Sequence, residues 1–372
     1  MTRKPLHPET LAAKAGYTHD RETGAVVPPI HLATTYARDA AYQLIGGRDY
    51  TRDKNPTPVV AEELLAALEG GAAALTFGSG MAAATAVFRA GLRPGDRAIV
   101  PRACYFALRN WAIGFGAAWG VGIDVVDTTE LSAIRAALTP TTKLVWLETP
   151  ANPTWEVSDI AAIAELAHRA GARLAVDSTC ATPVHTRPLS LGADLVMHSA
   201  TKYLSGHSDV LAGALVTAKA DDAWHAIHEL RHVEGAVLAP VEAWLLQRGM
   251  RTLFARVERQ SRSALALAQR LAARGVAVDY PGLPDHPQHA LAVRQMRDGF
   301  GGMLSIRVPR PLEVVAKLEV WTLATSLGGV ESLVEHRHSV EGANSPTPPE
   351  LLRLSVGLEH PDDLFDDLAQ AL

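Results

Sequence analysis

Four short stretches carry side chains that could do chemistry together. Gly78-Ser79-Gly80-Met81 leads into an alanine-rich run. Glu148-Thr149-Pro150-Ala151-Asn152-Pro153 follows one apolar run, Asp177-Ser178-Thr179 a second, and His198-Ser199-Ala200-Thr201-Lys202-Tyr203 a third. Glycines ahead of a helix let backbone N–H groups close around a phosphate. A carboxylate at a strand end can keep a heterocyclic nitrogen protonated, and a lysine one strand later can bond an aldehyde. Singly these signals are weak: Gly-Ser-Gly turns are common, strand-end acids often cap helices, and a lone lysine is usually solvated. Together they supply what pyridoxal 5′-phosphate requires. Asp177 and Lys202 stand 25 residues apart, room for one strand–helix–strand step.

Such residues must be placed by a sheet. Apolar runs at Ala73–Phe77, Ala98–Val100, Val121–Val126, Lys143–Leu147, Arg173–Val176 and Asp194–Met197 are short and unalternated, and Ala- and Leu-rich stretches separate several of them. That texture predicts a mostly parallel sheet covered on both faces, with ligands beyond the carboxyl ends of its strands. Val59 to Leu68 reads as a helix stopped by Gly70-Gly71. The first fifty-odd residues have little periodicity and read as an extended arm, ordered only if it lies on something. After about residue 240 the pattern changes: Arg256 to Arg274 reads as an amphipathic helix stopped by Gly275. The last helix is opened by Pro361, with Asp362 and Asp363 in its first turn and a stripe of Leu364, Leu368 and Leu372. The expected organisation is an arm (1–56), an α/β domain (57–240) and a smaller α+β domain (241–372).

The 372 residues are 48% hydrophobic and 20% charged, enough for an ordinary core and too long for one typical domain. Lys and Arg total 35 against 40 Asp and Glu, a net charge of −5, so no diffuse basic field points to nucleic acid. Cys104 and Cys180 cannot build a disulfide framework, which fits a reducing compartment. Met1 to Thr10 lacks a signal-peptide apolar core and no run approaches a membrane span, so the expectation is a cytoplasmic protein without membrane partners. His185, His198 and His207 match no metal spacing, and no metal is expected. Cys180 reads as a small buried residue, and Trp111, Trp119 and Trp244 as core.

Tyr50-Thr51-Arg52, Ser199-Ala200-Thr201-Lys202-Tyr203 with Gly206-His207-Ser208-Asp209, Ser326-Leu327-Gly328-Gly329-Val330-Glu331-Ser332 and Arg353-Leu354-Ser355-Val356-Gly357 carry a resemblance over almost the whole length. The chain resembles the Cys/Met-metabolism family of fold-type I pyridoxal-phosphate enzymes, the cystathionine γ-synthase and γ-lyase group. The resemblance implies that Lys202 bonds the cofactor and later moves substrate protons, that Asp177 partners the pyridine nitrogen with Thr179 below the ring, and that Tyr105 stacks on it. It also implies Gly80, Met81, Ser199 and Thr201 as phosphate ligands. Tyr50 and Arg52 match residues that reach a neighbouring subunit's phosphate, which implies a homo-oligomer: a dimer sharing active sites, with a tetramer expected. Asn152 and Arg353 match the groups that hold the amino-acid carboxylate, Arg353 through a two-pronged contact, and Ser326 lies in the same substrate-facing segment.

The departures bear on the substrate's distal end. Tyr105-Phe106-Ala107-Leu108-Arg109-Asn110 replaces the family's glycine pair, threonine and arginine, and Ala107 stands where methionine γ-lyases place a cysteine. Glu335-His336-Arg337-His338-Ser339 replaces a more apolar stretch; His336, Arg337 and His338 read as solvated surface, with contact to a polar leaving group as the alternative. The reaction implied is γ-elimination or γ-replacement on an L-amino acid with a γ-leaving group. Ser326-Leu327-Gly328-Gly329 resembles γ-acting members more than β-lyases, and β-elimination of cystathionine is the runner-up. A nicotinamide-dependent oxidoreductase would share the α/β texture, but Gly78-Ser79-Gly80 lacks the third glycine of the dinucleotide fingerprint and leaves Lys202 without a purpose.

Overall fold

Strands rich in Val, Leu, Ile and Ala on both faces have to be covered on both faces, and the computed structural model shows how. It describes residues 6–16, 19–342 and 347–372. The expectations for Met1 to Pro5 and for 343–346 of the Pro- and Ser-rich loop lie outside these residues. In chain order the first half runs α1 (Pro8–Lys14), α2 (Pro56–Glu69), β1 (Ala73–Phe77), α3 (Gly80–Gly91), β2 (Arg97–Pro101), α4 (Phe106–Trp119), β3 (Gly122–Val126), α5 (Leu131–Ala137), β4 (Thr142–Glu148), α6 (Ile160–Arg169), β5 (Arg173–Asp177), α7 (Thr182–His185), β6 (Leu195–His198) and β7 (Gly213–Thr217). It continues with α8 (Asp222–Glu234), α9 (Pro240–Met250), α10 (Leu253–Ala273), β8 (Ala277–Asp279), α11 (His289–Gln295), β9 (Met303–Arg307), α12 (Pro311–Val315), β10 (Thr322–Leu323), β11 (Leu333–Glu335), α13 (Arg337–Glu341), β12 (Leu351–Ser355) and α14 (Pro361–Ala371).

Seven strands form one sheet in the order β1-β7-β6-β5-β4-β2-β3. Only β7 runs against its neighbours β1 and β6. This is the mostly parallel sheet the sequence predicts, with one strand, β7, that sequence reading missed because Gly213–Thr217 lies just past the lysine signature. Alternate strand residues feed opposite layers. Leu144, Trp146 and Ala175 pack with Phe88 of α3 and Leu108 of α4, whereas Val145, Leu147 and Val176 pack with Ile160 and Ile163 of α6. Each fully buried Leu or Val contributes roughly 1.5–3 kcal/mol relative to exposure, so a one-residue slip in register would expose a whole layer.

The second sheet, β10-β11-β12-β9-β8, is antiparallel except for the β10–β11 pair. It rests on α10 and α14 through Leu267, Leu271, Leu364 and Leu368. Leu372, expected in the apolar stripe of α14, is exposed instead, and Ala371 takes the buried place; at about 100° per residue, Leu372 falls roughly 80° away from Leu364 around the helix, whereas Ala371 falls within about 20° of it. Trp119, expected in the core, is 57% exposed because it ends α4, where the apolar stack Trp111–Phe115–Trp119 runs out toward solvent. The arm also holds a short helix, α1, whose Ala12 and Ala15 pack with the α2 leucines. Beyond it, Val26, Leu32, Tyr42 and Ile45 are exposed.

Candidate active site

The carboxyl ends of β4, β5 and β6 open on a cavity of about 330 Å³. Parallel pairing sets Glu148 beside Asp177 and Asp177 beside Met197, so the residues following each strand converge as the sequence expects. Gly80, Met81, Tyr105, Asn152, Asp177, Thr179, Ser199, Thr201, Lys202, Ser326 and Arg353 all line this one cavity. Tyr50 and Arg52 do not. Arg52 lies 5.3 Å over the Tyr50 ring and lines a separate cavity of about 560 Å³.

At one end of the cavity Ser79 caps α3 by accepting the Ala82 N–H at 3.1 Å. The N–H groups of Gly80 and Met81 belong to the first turn, whose donors have no partner inside a helix. A side chain at Gly80 would place its Cβ 2.8 Å from Ser199 Oγ, so glycine is what keeps this recess open. Gly213 is required for the same reason, since a Cβ there would lie 2.1 Å from the Ser79 carbonyl oxygen. The Thr201 hydroxyl donates to Ala212 O at 3.0 Å and accepts the Ala212 N–H at 2.9 Å, which ties the lysine segment to the loop before β7.

Asp177 sits at the floor of the cavity. Thr179 donates to its Oδ1 from both its hydroxyl, at 2.5 Å, and its backbone N–H, at 3.0 Å. The Thr179 hydroxyl in turn accepts the Ser199 N–H at 2.8 Å. Burial raises Asp177 above the usual carboxylate range, opposed by those two donors. Opposite, Lys202 Nζ donates to Ser326 Oγ at 2.8 Å, and burial followed by the Arg353 charge lowers its affinity for a proton. Tyr105 is 41% exposed and is therefore a wall of the cavity, not a core aromatic. Cys104 and Cys180 are buried, free, and pushed well up by desolvation, which makes each a packing residue and neither a nucleophile.

The far wall is cationic. Arg353, 3% exposed, donates to Asn152 Oδ1 at 3.1 Å and to the Ser326 carbonyl at 2.8 Å and is ion-paired with Glu335. Burial brings it down to about 10, with Glu335 opposing. Arg337, expected at the surface, is buried: β11 turns into α13 directly over the site, and the guanidinium is ion-paired with Glu335 and Glu341. A cation so buried persists only with carboxylate partners. Glu335 and Glu148 are the site residues to which the sequence assigns no role of their own. Each is an acid closing an apolar strand, Leu333-Val334-Glu335 and Leu144-Val145-Trp146-Leu147-Glu148, and that pattern is the signal that was available. Arg109 donates to Arg102 O at 2.7 Å and does not line the cavity.

The donor set fits pyridoxal 5′-phosphate: a recess edged by helix N–H groups and a hydroxyl, an acid for a ring nitrogen, an amine of lowered proton affinity, and a flat side chain to cover the ring. Among the described residues no group of three or more His, Cys, Asp or Glu could hold a metal, and no helix is long and apolar enough to cross a membrane.

Residues 9–372 match the family described as Cys/Met metabolism PLP-dependent enzyme. The chain is 46% identical to the cystathionine gamma-synthase of Mycobacterium tuberculosis over 98% of its own length and 96% of that protein. Among solved structures, metB from Corynebacterium glutamicum superposes with a TM-score of 0.95 at 39% identity, covering 99% of this chain and 98% of the other. Cystathionine gamma synthase from Xanthomonas oryzae, solved in complex with cystathionine, gives 0.94 at 37% identity with the same coverage.

Proposed function

The chain belongs to the Cys/Met metabolism PLP-dependent enzyme family, and we propose that within it Lys202, Asp177 and Arg353 carry out γ-elimination or γ-replacement on an L-amino acid bearing a γ-leaving group. The observation that carries this is the double use of Ser326. Its hydroxyl holds Lys202 Nζ and its carbonyl holds Arg353, so an amino acid gripped by its carboxylate presents its α-carbon beside the amine.

Bound pyridoxal 5′-phosphate supplies the electron sink that makes protons on the substrate's α- and β-carbons removable. Asp177 would hold the ring nitrogen, Lys202 the aldehyde carbon, Tyr105 the ring face, and Gly80, Met81, Ser199 and Thr201 the phosphate. Arg353 and Asn152 receive the α-carboxylate, a charge-assisted contact that fixes which face of the α-carbon meets Lys202. The lowered proton affinity of Lys202 favours its free amine, able to take a carbon-bound proton and return it elsewhere on the same substrate. Tyr50 and Arg52 do not line their own chain's cavity, which supports a homo-oligomer in which each subunit completes its neighbour's phosphate site. The exposed apolar residues of the arm support the same reading. Two reduced, buried cysteines support a cytoplasmic location.

Incubation with cystathionine, and with an O-acylated homoserine in the presence and absence of a thiol, tests the reading. 2-Oxobutanoate, or a new thioether in its place, is the expected product. Pyruvate would mean β-cleavage and overturn it. Lys202→Ala is expected to keep its fold and lose turnover.

A further inference from the structure

Glu148 is 5% exposed and meets Asp177 rung to rung at the ends of β4 and β5. Its two oxygens go to two different segments. Oε2 accepts the backbone N–H of Tyr105 at 2.6 Å, and Oε1 accepts that of Asn152 at 2.8 Å. Those are the residues at the N-terminus of α4 and in the turn after β4 that cover the cofactor ring and receive the substrate carboxylate. Two buried carboxylates side by side are costly, and packing alone asks for no charge at this position.

We propose that Glu148 is a positioning residue that couples the two subsites: a protonated ring nitrogen settling on Asp177 offsets the repulsion between the carboxylates, and Glu148, as a carboxylate, then holds Tyr105 and Asn152 through both oxygens. Three sets of groups bear on it. Burial and the Asp177 charge push Glu148 up to about 8, while the Tyr105 and Asn152 N–H groups and the Arg337 charge pull it down. The neighbouring thiols of Cys104 and Cys180 are pushed up and stay neutral. The Cys180 thiol also feels the charges of Lys202 and Arg353. A ligand cation on Asp177 weakens one of the two upward causes, so cofactor binding is accompanied by loss of the Glu148 carboxyl proton to solvent. Bonding of the Lys202 amine to the aldehyde carbon releases water and the amine's own protons in wild type and variant alike, so only the difference in proton count belongs to Glu148.

The inference rests on the cofactor lying against Asp177. Its test is calorimetric titration of the apo-protein with pyridoxal 5′-phosphate at pH 7 in two buffers of different ionisation enthalpy. Wild-type protein is expected to release more protons than Glu148→Gln, by a fraction of one up to one. The variant is expected to bind the cofactor about tenfold more weakly and to raise the substrate KM about tenfold, because one N–H loses its acceptor. Equal proton counts, or an unchanged cofactor affinity together with an unchanged KM, overturn the proposal. Should the variant fail to fold, amide hydrogen exchange on wild-type protein decides: protection at both Tyr105 and Asn152 must rise when cofactor is added, and no rise at either position overturns it. Wild-type apo-protein that binds no pyridoxal 5′-phosphate would take down the cofactor reading as well, which sets that failure apart from a failure of Glu148 alone.

Discussion

Ser326 accepts a hydrogen bond from Lys202 Nζ at 2.8 Å while its own backbone stands at φ 112°, a conformation in which a side chain is strained. The strain is held in place because its carbonyl is bonded to Arg353 and the next residues, Leu327 and Gly328, are packed and hydrogen-bonded inward.

Removing the hydroxyl should therefore affect chemistry, and removing the side chain should relieve the backbone. Ser326→Ala is expected to lower kcat about tenfold, the worth of one hydrogen bond at the Lys202 amine, with cofactor content unchanged. Ser326→Gly is expected to be more stable than Ser326→Ala by about 1 kcal/mol. Urea unfolding of both variants measures this, and an alanine variant at least as stable as the glycine variant would refute the strain.

Lys202 gives a stability prediction with a definite sign. Its native proton affinity lies below the ordinary value of 10.5, first through burial and then through Arg353. The unfolded chain therefore binds the proton more tightly than the folded one, and stability rises with pH across the interval between the two values. Apo Lys202→Met should exceed apo wild type in stability at neutral pH. The gap should close as pH climbs toward 10.5, and a gap that widens with pH would contradict the assigned environment.

Arg52 tests whether sites are shared. Arg52→Ala is expected to retain cofactor poorly with its oligomer intact, and Lys202→Ala to be inactive. Co-refolding the two in equal amounts should restore about a quarter of wild-type activity, since half of the random two-fold dimers are mixed and each mixed dimer has one intact site. Activity no greater than the residual activity of Arg52→Ala would place the whole site within one chain.

Much of this site was legible along the chain because a parallel sheet converts order into position. Once the apolar runs are recognised as strands, Asp177 and Lys202 must fall at one edge, and Gly80, Asn152 and Ser199 with them. The lysine and arginine signatures then point to the cofactor. Arg337 was misread because one isolated guanidinium looks the same in sequence whether water or two carboxylates surround it. Its burial depends on β11 and β12 pairing Glu335 with Arg353, a contact between distant residues. Glu148 was passed over because its partners are backbone N–H groups, which have no signature in side-chain order. The sequence by itself determined the strands and set Lys202, Asp177 and the Gly78-Ser79-Gly80 turn at their ends, since local periodicity and residue type carry those. Only the tertiary structure decided which charges share a partner, because the free energy of a buried charge is set by what long-range packing places next to it.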